Sequence, residues 1–301
     1  MTPLSSTRAW LLVAIAVLGI STSAPVSTAM AAPVLAVAFW RNLGGALASG
    51  GWVALRDRSG LRAVLHDRRL TRLALLSGAL LAVHFVTWLS GLRLTTVTAS
   101  TALVCTTPVW TVAFDLFRRV PVGRRVLFGV LLAMIGVLAI TGVDAGRSGS
   151  AVAGDLLSLA GALAAAGYVA IGSRVMRTAS PGVYTLLAYG TCALILLPVS
   201  LVTGSALIGF SGRTWTELAI VTIGAQLLGH TLLNAALPSV GVTPLALAIL
   251  LEVPGASLVA WAWLGQVPSW TVVFGAALML GGLGVVVSES TPEPAAVLAA
   301  D

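Results

Sequence analysis

The feature that most constrains this chain is an internal repeat. The segment from Gly224 to Val287 has a weaker copy 146 residues earlier, so that His84 corresponds to His230. The same offset gives the further pairs Gly78 and Gly224, Pro108 and Pro254, Phe128-Gly129 and Phe274-Gly275, and Gly136 and Gly282. Two of the three histidines fall on one offset, which sets the match apart from chance pairings in an apolar chain. The sequence predicts two halves built alike.

Composition decides the environment of these halves. Of the 301 residues 58% are hydrophobic and 9% are charged, with a mean hydropathy of +1.01. Such a chain lacks the polar surface of a water-soluble protein of this size. An all-α integral membrane protein is therefore predicted.

Breaks at proline, glycine and arginine clusters divide the chain into ten segments near the length of about 20 residues that a spanning helix needs. The predicted spans are 9–28, 33–55, 70–92, 97–117, 124–143, 154–175, 182–203, 214–236, 243–264 and 270–288. They form a first five-helix repeat over residues 1–146 and a second over 147–288. Residues 289–301 are too polar and too short to pack, so a disordered cytoplasmic tail is predicted there.

The first span also resembles a secretory signal peptide, since Arg8 precedes an apolar run and Ala29-Met30-Ala31 resembles a cleavage site. We expect it to be retained, because removal would leave the span at 154–175 without its partner in the first half. An odd number of helices in each half makes the second half enter the membrane in the opposite direction, as an inverted repeat.

The arginines indicate the orientation of these spans. Thirteen of the seventeen fall in the segments that are cytoplasmic if the N-terminus is cytoplasmic, and three fall in segments on the other side. The loop after the fourth span contains Arg118, Arg119, Arg124 and Arg125, whereas its repeat equivalent at residues 265–270 contains none. Both termini are predicted to be cytoplasmic, in a multi-pass protein of the inner membrane.

Polar side chains inside spans are candidates for a site, because each is costly in hydrocarbon. Gln226, His230 and Asn234 are spaced four apart and share one face of the eighth span. His84 and Trp88 occupy the matching positions of the third span. These groups are predicted to line a central pathway, with hydrogen bonds that only join helices as the alternative.

Glu252 is the carboxylate in the middle of a span, two residues before Pro254. Because proline removes a backbone donor, helix breaks are predicted at Pro254 and at its mate Pro108, beside Thr107. Paired broken helices are typical of transporter binding sites. A buried acid near two histidines suggests proton coupling as a hypothesis.

Arg41 lies about fourteen residues before Arg56, which is deep for a side chain that must reach the membrane surface. An internal partner is therefore expected, either Glu252 or an anionic group of a substrate. Trp110 lies deep in the fourth span and is a further candidate for the cavity wall. The Gly-rich fifth and tenth spans predict close helix packing, which could also pair two copies of the chain as a homodimer.

No Walker loop, dinucleotide fingerprint or zinc-ligand spacing occurs in the sequence, so no catalytic residue, metal or cofactor is predicted. The net charge of +7 is explained by the loop arginines and not by nucleic acid. A haem held by His84 and His230, or an intramembrane enzyme using them with Glu252, remains an alternative of another class.

The chain resembles EamA-type permeases of the drug/metabolite transporter superfamily over roughly residues 8–288. The resemblance is carried by short motifs in order: Phe39-Trp40-Arg41, Gly91-Leu92-Arg93, Pro108, Leu251-Glu252-Val253-Pro254, and the Phe-Gly-x-x-Leu-x-x-x-Gly pattern of the fifth and tenth spans. It departs from the family where Val253 separates the glutamate from the proline, and where Arg118-Arg119 and Gly265-Gln266 replace an acid that often closes the fourth and ninth spans.

This resemblance implies secondary transport of small polar metabolites such as amino-acid-like compounds, by an exporter with proton coupling or exchange. It also implies that Thr107, Asn234 and Glu252 line the cavity together with both histidines. Efflux of lipophilic cations is the alternative within the same class. The expected partners are a small-molecule substrate and the lipid bilayer.

Overall fold

A computed structural model describes residues 5–95, 97–141, 149–265, 267 and 269–289. In these ranges every regular element is a helix, as the apolar composition predicted. The helices are α1 (Ser6–Ser21), α2 (Ser23–Ala29), α3 (Val34–Arg56), α4 (Arg58–His66), α5 (Arg68–Leu94), α6 (Val97–Val104), α7 (Thr107–Phe117), α8 (Arg124–Thr141), α9 (Gly149–Val175), α10 (Pro181–Val202), α11 (Gly212–Val221), a π-helical segment (Thr222–Thr231), α12 (Leu232–Val240), α13 (Val242–Ile249), α14 (Glu252–Leu264) and α15 (Trp270–Glu289). The predicted tail lies outside the described residues from residue 290 onward.

Eight helical stretches of the described chain are long and apolar enough to cross a membrane. They are Ser6–Ala29, Arg68–Leu94, Ala99–Phe117, Gly149–Val175, Pro181–Val202, Gly212–Val240, Val242–Trp263 and Trp270–Ser288. The helices α3 and α8 are not among them; α3 contains Arg41 and Asn42, and α8 begins with two arginines. Large apolar side chains such as Leu18 and Leu194 are more than 70% exposed, as expected of surfaces that face lipid.

Three of the predicted spans are interrupted. The fourth is broken between α6 and α7, where Pro108 cannot donate to the carbonyl of Val104 and the hydroxyl of Thr107 donates to it instead, at 3.0 Å. The ninth is broken between α13 and α14, where Pro254 cannot bond the carbonyl of Leu250. That carbonyl accepts from the backbone N–H of Val253 at 3.1 Å.

The first predicted span, 9–28, lies within the helical stretch Ser6–Ala29, but its interruption was not predicted. It is broken at Thr22 between α1 and α2, because Pro25 has no N–H to donate to the carbonyl of Ser21. The hydroxyl of Thr22 turns back to the carbonyl of Gly19 at 2.8 Å. The short helix α4 was also not predicted; Asp57 begins it by accepting from the backbone N–H of Gly60.

The glycine-rich helices α8 and α15 pack against each other within the chain. A Cβ atom on Gly136 would lie 2.6 Å from the carbonyl oxygen of Gly275, and one on Gly129 would lie 2.7 Å from that of Gly282. Rising numbers on α8 meet falling numbers on α15, so the two helices are antiparallel. The two glycine faces that led us to expect a homodimer are therefore packed against each other within one chain. The basis of that expectation was wrong.

Three further helix interfaces join the halves. The helices α3 and α10 are antiparallel, with Ser49 bonded to Thr185 at 2.9 Å and Gly45 packed on Tyr189. The helix α5 packs on α9, and α1 packs on the π segment and α12. At the 146-residue offset α5 corresponds to the π segment with its flanking helices, and α1 corresponds to α9. The second and third of these interfaces are therefore equivalent.

Candidate functional site

Arg41 lies at the centre of the described core. It is on α3, its side chain is 0% exposed, and it contacts three other elements. Its Nε donates to Oε1 of Gln226 at 3.0 Å, and its Nη1 donates to Oγ of Ser23 at 2.9 Å. Gln226 in turn donates to Oδ1 of Asn42 at 3.4 Å. A buried guanidinium thus joins α3 to α2 and to the π segment through neutral partners, and not through Glu252, which the sequence had suggested as one possible partner.

The ring of Phe85 contacts Arg41 and both of the predicted histidines. The guanidinium carbon of Arg41 lies over this ring, 4.3 Å from its centroid, in a cation–π contact. The His84 ring lies 4.9 Å from Phe85 between centroids, and the His230 ring lies 5.9 Å away at nearly a right angle. His84 and His230 therefore flank one phenylalanine, from the third and eighth predicted spans.

His84 is also held by α9 and by its own helix. Its Nδ1 lies 3.0 Å from the carbonyl oxygen of Gly161, and its ring stacks on that of Trp88 with 5.8 Å between centroids. Trp88 is 3% exposed, and its indole Nε1 is buried without a hydrogen-bond partner. An indole N–H of this kind can donate to a molecule that enters the core.

Glu252 lies at the point where the two proline breaks meet. It is the first residue of α14, its side chain is 7% exposed, and its Oε2 lies 3.9 Å from the thiol sulfur of Cys105. Cys105 occupies the break between α6 and α7. The two interruptions, one from each half, are therefore in contact, and a carboxylate is placed at their junction.

The charge of Arg41 acts on several of these groups. Glu252, His84 and His230 all lie within electrostatic range of its guanidinium. In the described part of the chain, however, Arg41 and Glu252 are not within salt-bridge distance of each other, unlike Arg213 and Glu217 at 2.9 Å. A buried guanidinium and a buried carboxyl group thus lie in one region without a direct ion pair, and ionisable groups inside membrane spans are typical of functional sites.

The eighth predicted span is less regular than its sequence indicates. The π segment contains Gln226 and His230, and the hydroxyl of Thr231 donates to the carbonyl of Gln226, five residues earlier, at 3.0 Å. Gln226 is fully buried, whereas His230 is partly exposed. π-Helical turns are rare and occur often at functional sites.

Asn234 belongs to a network of tyrosines that the sequence reasoning missed. Its Nδ2 donates to the hydroxyl oxygens of Tyr168 at 2.6 Å and Tyr189 at 3.3 Å. Tyr184, the third tyrosine of the chain, bonds Oγ of Ser77 at 2.6 Å and donates to the carbonyl of Tyr168. The confinement of all three tyrosines to two apolar spans was the signal available in the sequence.

Comparison with known families agrees with this arrangement. The sequence profile of the EamA-like transporter family matches residues 7–142 and matches again over residues 152–288. The chain belongs to the EamA-like transporter family. It is accordingly a multi-pass membrane protein, and the family profile occurs twice, once in each half.

A solved structure shares this fold. The crystal structure of a protein matches this EamA-like chain with a TM-score of 0.74 and 22% sequence identity, covering 95% of this chain and 98% of the other. At this identity the likeness shows the fold and nothing of the activity. No curated protein sequence matches the chain.

Thr107 and Trp110, which were predicted to line the cavity of this EamA-like chain, are both on α7 and have no described contact with Arg41. Thr107 is 4% exposed and bonds the carbonyl of Val104, so its hydroxyl serves the helix break. Trp110 lies one turn further along α7, and its buried indole Nε1 has no hydrogen-bond partner. Among the described residues no group of three or more His, Cys, Asp and Glu side chains is placed to hold a metal ion.

Proposed function

We propose that this EamA-like transporter is a secondary active exporter of small polar metabolites, with amino-acid-like compounds as the substrate class, and that it couples export to protons or to exchange. The observation that carries the proposal is that the guanidinium of Arg41 and the carboxyl group of Glu252 are both buried and form no ion pair with each other, with Glu252 at the junction of two helix breaks. An ionisable group that is buried without an ion-pair partner is costly, and such groups within membrane spans mark sites for substrates or protons. Membership of a transporter family supports transport as the activity.

In this proposal ten helices cross the inner membrane as two inverted five-helix repeats, with repeat boundaries at residues 146 and 147. The antiparallel pairing of α8 with α15 and of α3 with α10 supports it, because a two-fold axis in the membrane plane would relate each such pair to itself. The asymmetric arginines support cytoplasmic termini. A reporter that is active only in the cytoplasm should be active when fused at Asp301 and inactive when inserted after Ser211, and a reporter that is active only outside should give the reverse result.

The cavity wall is assigned to residues from both halves. Arg41, Gln226, His84 and His230 are assigned to the substrate site, and Trp88 and Asn234 border it. Thr107 and Trp110 follow the break at Pro108 and would reach the pathway when that break moves. Glu252, beside Pro254, is assigned the proton. Alternating access would then pivot the broken helices α6–α7 and α13–α14 around this junction.

Efflux of lipophilic cations is the second candidate, favoured by the aromatic surfaces of Phe85 and Trp88. The guanidinium of Arg41 lies over the same Phe85 ring and would repel a cation there. We therefore rank it below transport of polar metabolites.

The test is uptake of labelled amino acids, small organic acids and lipophilic cations into everted vesicles, with and without an imposed pH gradient. We expect gradient-dependent accumulation of one polar class by the wild type. Glu252→Gln should abolish the dependence on the gradient while leaving the protein folded, because the amide is close in size to the acid but cannot bind or release a proton.

Glu217→Gln is the matched control. Glu217 is also a buried glutamate, 6% exposed, but it pairs with Arg213 near the start of α11, away from the helix breaks. Its variant should keep the rate and the pH dependence. Unchanged transport by Glu252→Gln would refute the proton role, and accumulation of lipophilic cations alone would favour the second candidate.

A further inference from the structure

One of the three guanidinium nitrogen atoms of the central arginine has no hydrogen-bond acceptor. The Nε and Nη1 atoms of Arg41 are bonded to Gln226 and Ser23, but its Nη2 is buried without a hydrogen-bond partner. An unsatisfied donor on a charged, fully buried group is costly. The donor is therefore expected to meet an acceptor at another stage of function.

The orientation of this donor is fixed by its surroundings. Phe85 lies against the face of the guanidinium, with 4.3 Å between Cζ and the ring centroid. Ser23 and Gln226 hold Nη1 and Nε in the guanidinium plane. Because the guanidinium is planar, these contacts also fix the position of Nη2. A planar guanidinium donor that is held in place favours carboxylates over neutral acceptors.

We propose that Nη2 of Arg41 binds a carboxylate group of the transported substrate, so that the substrate is an amino acid or a small organic acid and not an amine. This inference rests on the proposed function and narrows its substrate class. The nearby Glu252 does not take this place in the present structure, since it lies beyond salt-bridge distance from Arg41.

Arg41 is fully enclosed here, so a substrate reaches Nη2 only when its surroundings open. Both of its anchors are on irregular backbone: Ser23 directly follows the break at Thr22, and Gln226 is in the π segment. These two segments are in contact, because a Cβ on Gly224 would lie 3.0 Å from the hydroxyl of Thr22. A rearrangement of this contact would uncover the guanidinium edge without breaking a regular helix.

The experiment compares alanine, threonine and phenylalanine with the three corresponding amino acid amides, in which an uncharged carboxamide replaces the carboxylate and the amine is retained. Binding is measured as thermal stabilisation of the purified full-length protein in detergent, and transport is measured in everted vesicles. We expect at least one acid to bind about tenfold more tightly than its amide, which is the effect of one charge-assisted hydrogen bond. Arg41→Lys should reduce this acid-to-amide ratio about tenfold and leave binding of the amide unchanged.

Arg213→Gln is the control, because Arg213 is an exposed arginine near the start of α11 that pairs with Glu217. It should keep the wild-type ratio. If Arg41→Lys fails to fold, Ser23→Ala serves instead; it removes the acceptor of Nη1 and should lower the ratio about threefold by loosening the guanidinium.

The two proposals fail in different ways. Equal binding of acids and amides by the wild type, or an equal loss of both in Arg41→Lys, would overturn the carboxylate site even if transport is observed. Stabilisation by no acid at millimolar concentration would overturn it as well. Carboxylate-selective binding without transport would instead retain the site and refute the exporter.

Discussion

The thiol sulfur of Cys105 lies 3.9 Å from the carboxylate Oε2 of Glu252, and this contact joins the two proline breaks. Cys105 is 1% exposed, and its sulfur is also 3.9 Å from the carbonyl oxygen of Ile249. The space at the junction is thus filled by a small side chain. Any change in its volume acts directly on the position of Glu252.

Cys105→Leu should therefore impair transport more than Cys105→Ala. The larger side chain overpacks the junction, at a cost of about 1–3 kcal/mol, and displaces Glu252. The smaller one leaves a void but no collision. We expect transport by Cys105→Leu to fall at least about tenfold and that by Cys105→Ala to stay within about threefold, measured in everted vesicles at equal protein amounts. Equal rates for the two variants would show that the junction tolerates volume and that Glu252 is not positioned by it.

The breaks themselves show how far local chemistry predicts this fold. The interruptions at Pro108 and Pro254 follow from a missing backbone donor, which the sequence displays directly. Pro25 carries the same signal for the break at Thr22. It lies in a stretch whose composition also resembles a signal peptide, and the break was not predicted there. The length of an apolar run therefore predicts a membrane span, and a proline within that run predicts where the helix is interrupted.

The site was less predictable, because its contacts join distant parts of the chain. The depth of Arg41 indicated an internal partner, but only the fold shows that Ser23 and Gln226 bond it and that Phe85 lies beneath it. Phe85 could not be identified from the sequence, since one more aromatic residue in an apolar span carries no signal. The π segment likewise has no proline or glycine cluster that would separate it from an ordinary helix.

Phe85 should contribute to stability through Arg41 as well as through burial. Phe85→Leu removes the ring but retains an apolar side chain of similar size, so the loss is chiefly the cation–π and ring contacts, worth about 1–2 kcal/mol in a buried setting. The measurement is unfolding of the purified protein in mixed micelles. Phe117→Leu is the matched control, since Phe117 is 88% exposed, and it should change the unfolding free energy by less than about 0.5 kcal/mol. Equal effects of the two changes would mean that the Arg41 contact adds nothing to stability.

The internal pairing of α8 with α15 predicts a large difference between two glycines of one helix. A Cβ on Gly282 would collide with the carbonyl of Gly129, whereas one on Gly284 would have nothing within 4 Å. Gly282→Ala should destabilise the protein by about 1–3 kcal/mol, and Gly284→Ala should be neutral or slightly stabilising.

The same pair tests the homodimer. Cysteines placed at residues 132 and 281 should crosslink within one chain, because a Cβ on Gly281 would lie at an ordinary contact distance of 3.4 Å from the Leu132 side chain, and gel mobility under non-reducing conditions distinguishes this product from a crosslinked dimer. The background is Cys105→Ala with Cys192→Ala, so that no other thiol reacts. A dimer band without the intramolecular product would contradict the packing described above.

The tyrosine network predicts unequal roles for Asn234 and Thr231. Asn234 donates to the hydroxyls of Tyr168 and Tyr189, whereas Thr231 lies 3.4 Å from the hydroxyl of Tyr189 and makes only this one long contact to the network. Asn234→Ala leaves two buried hydroxyls without their shared donor, and we expect a loss of about 2–3 kcal/mol in the unfolding free energy. Thr231→Val should cost about 1 kcal/mol or less, because Tyr189 keeps its bond to Asn234. The double variant gives the coupling energy between Asn234 and Thr231. We expect a value of about 0.5 kcal/mol or more, because both residues contact Tyr189. Strictly additive losses would show that the network does not act as one unit.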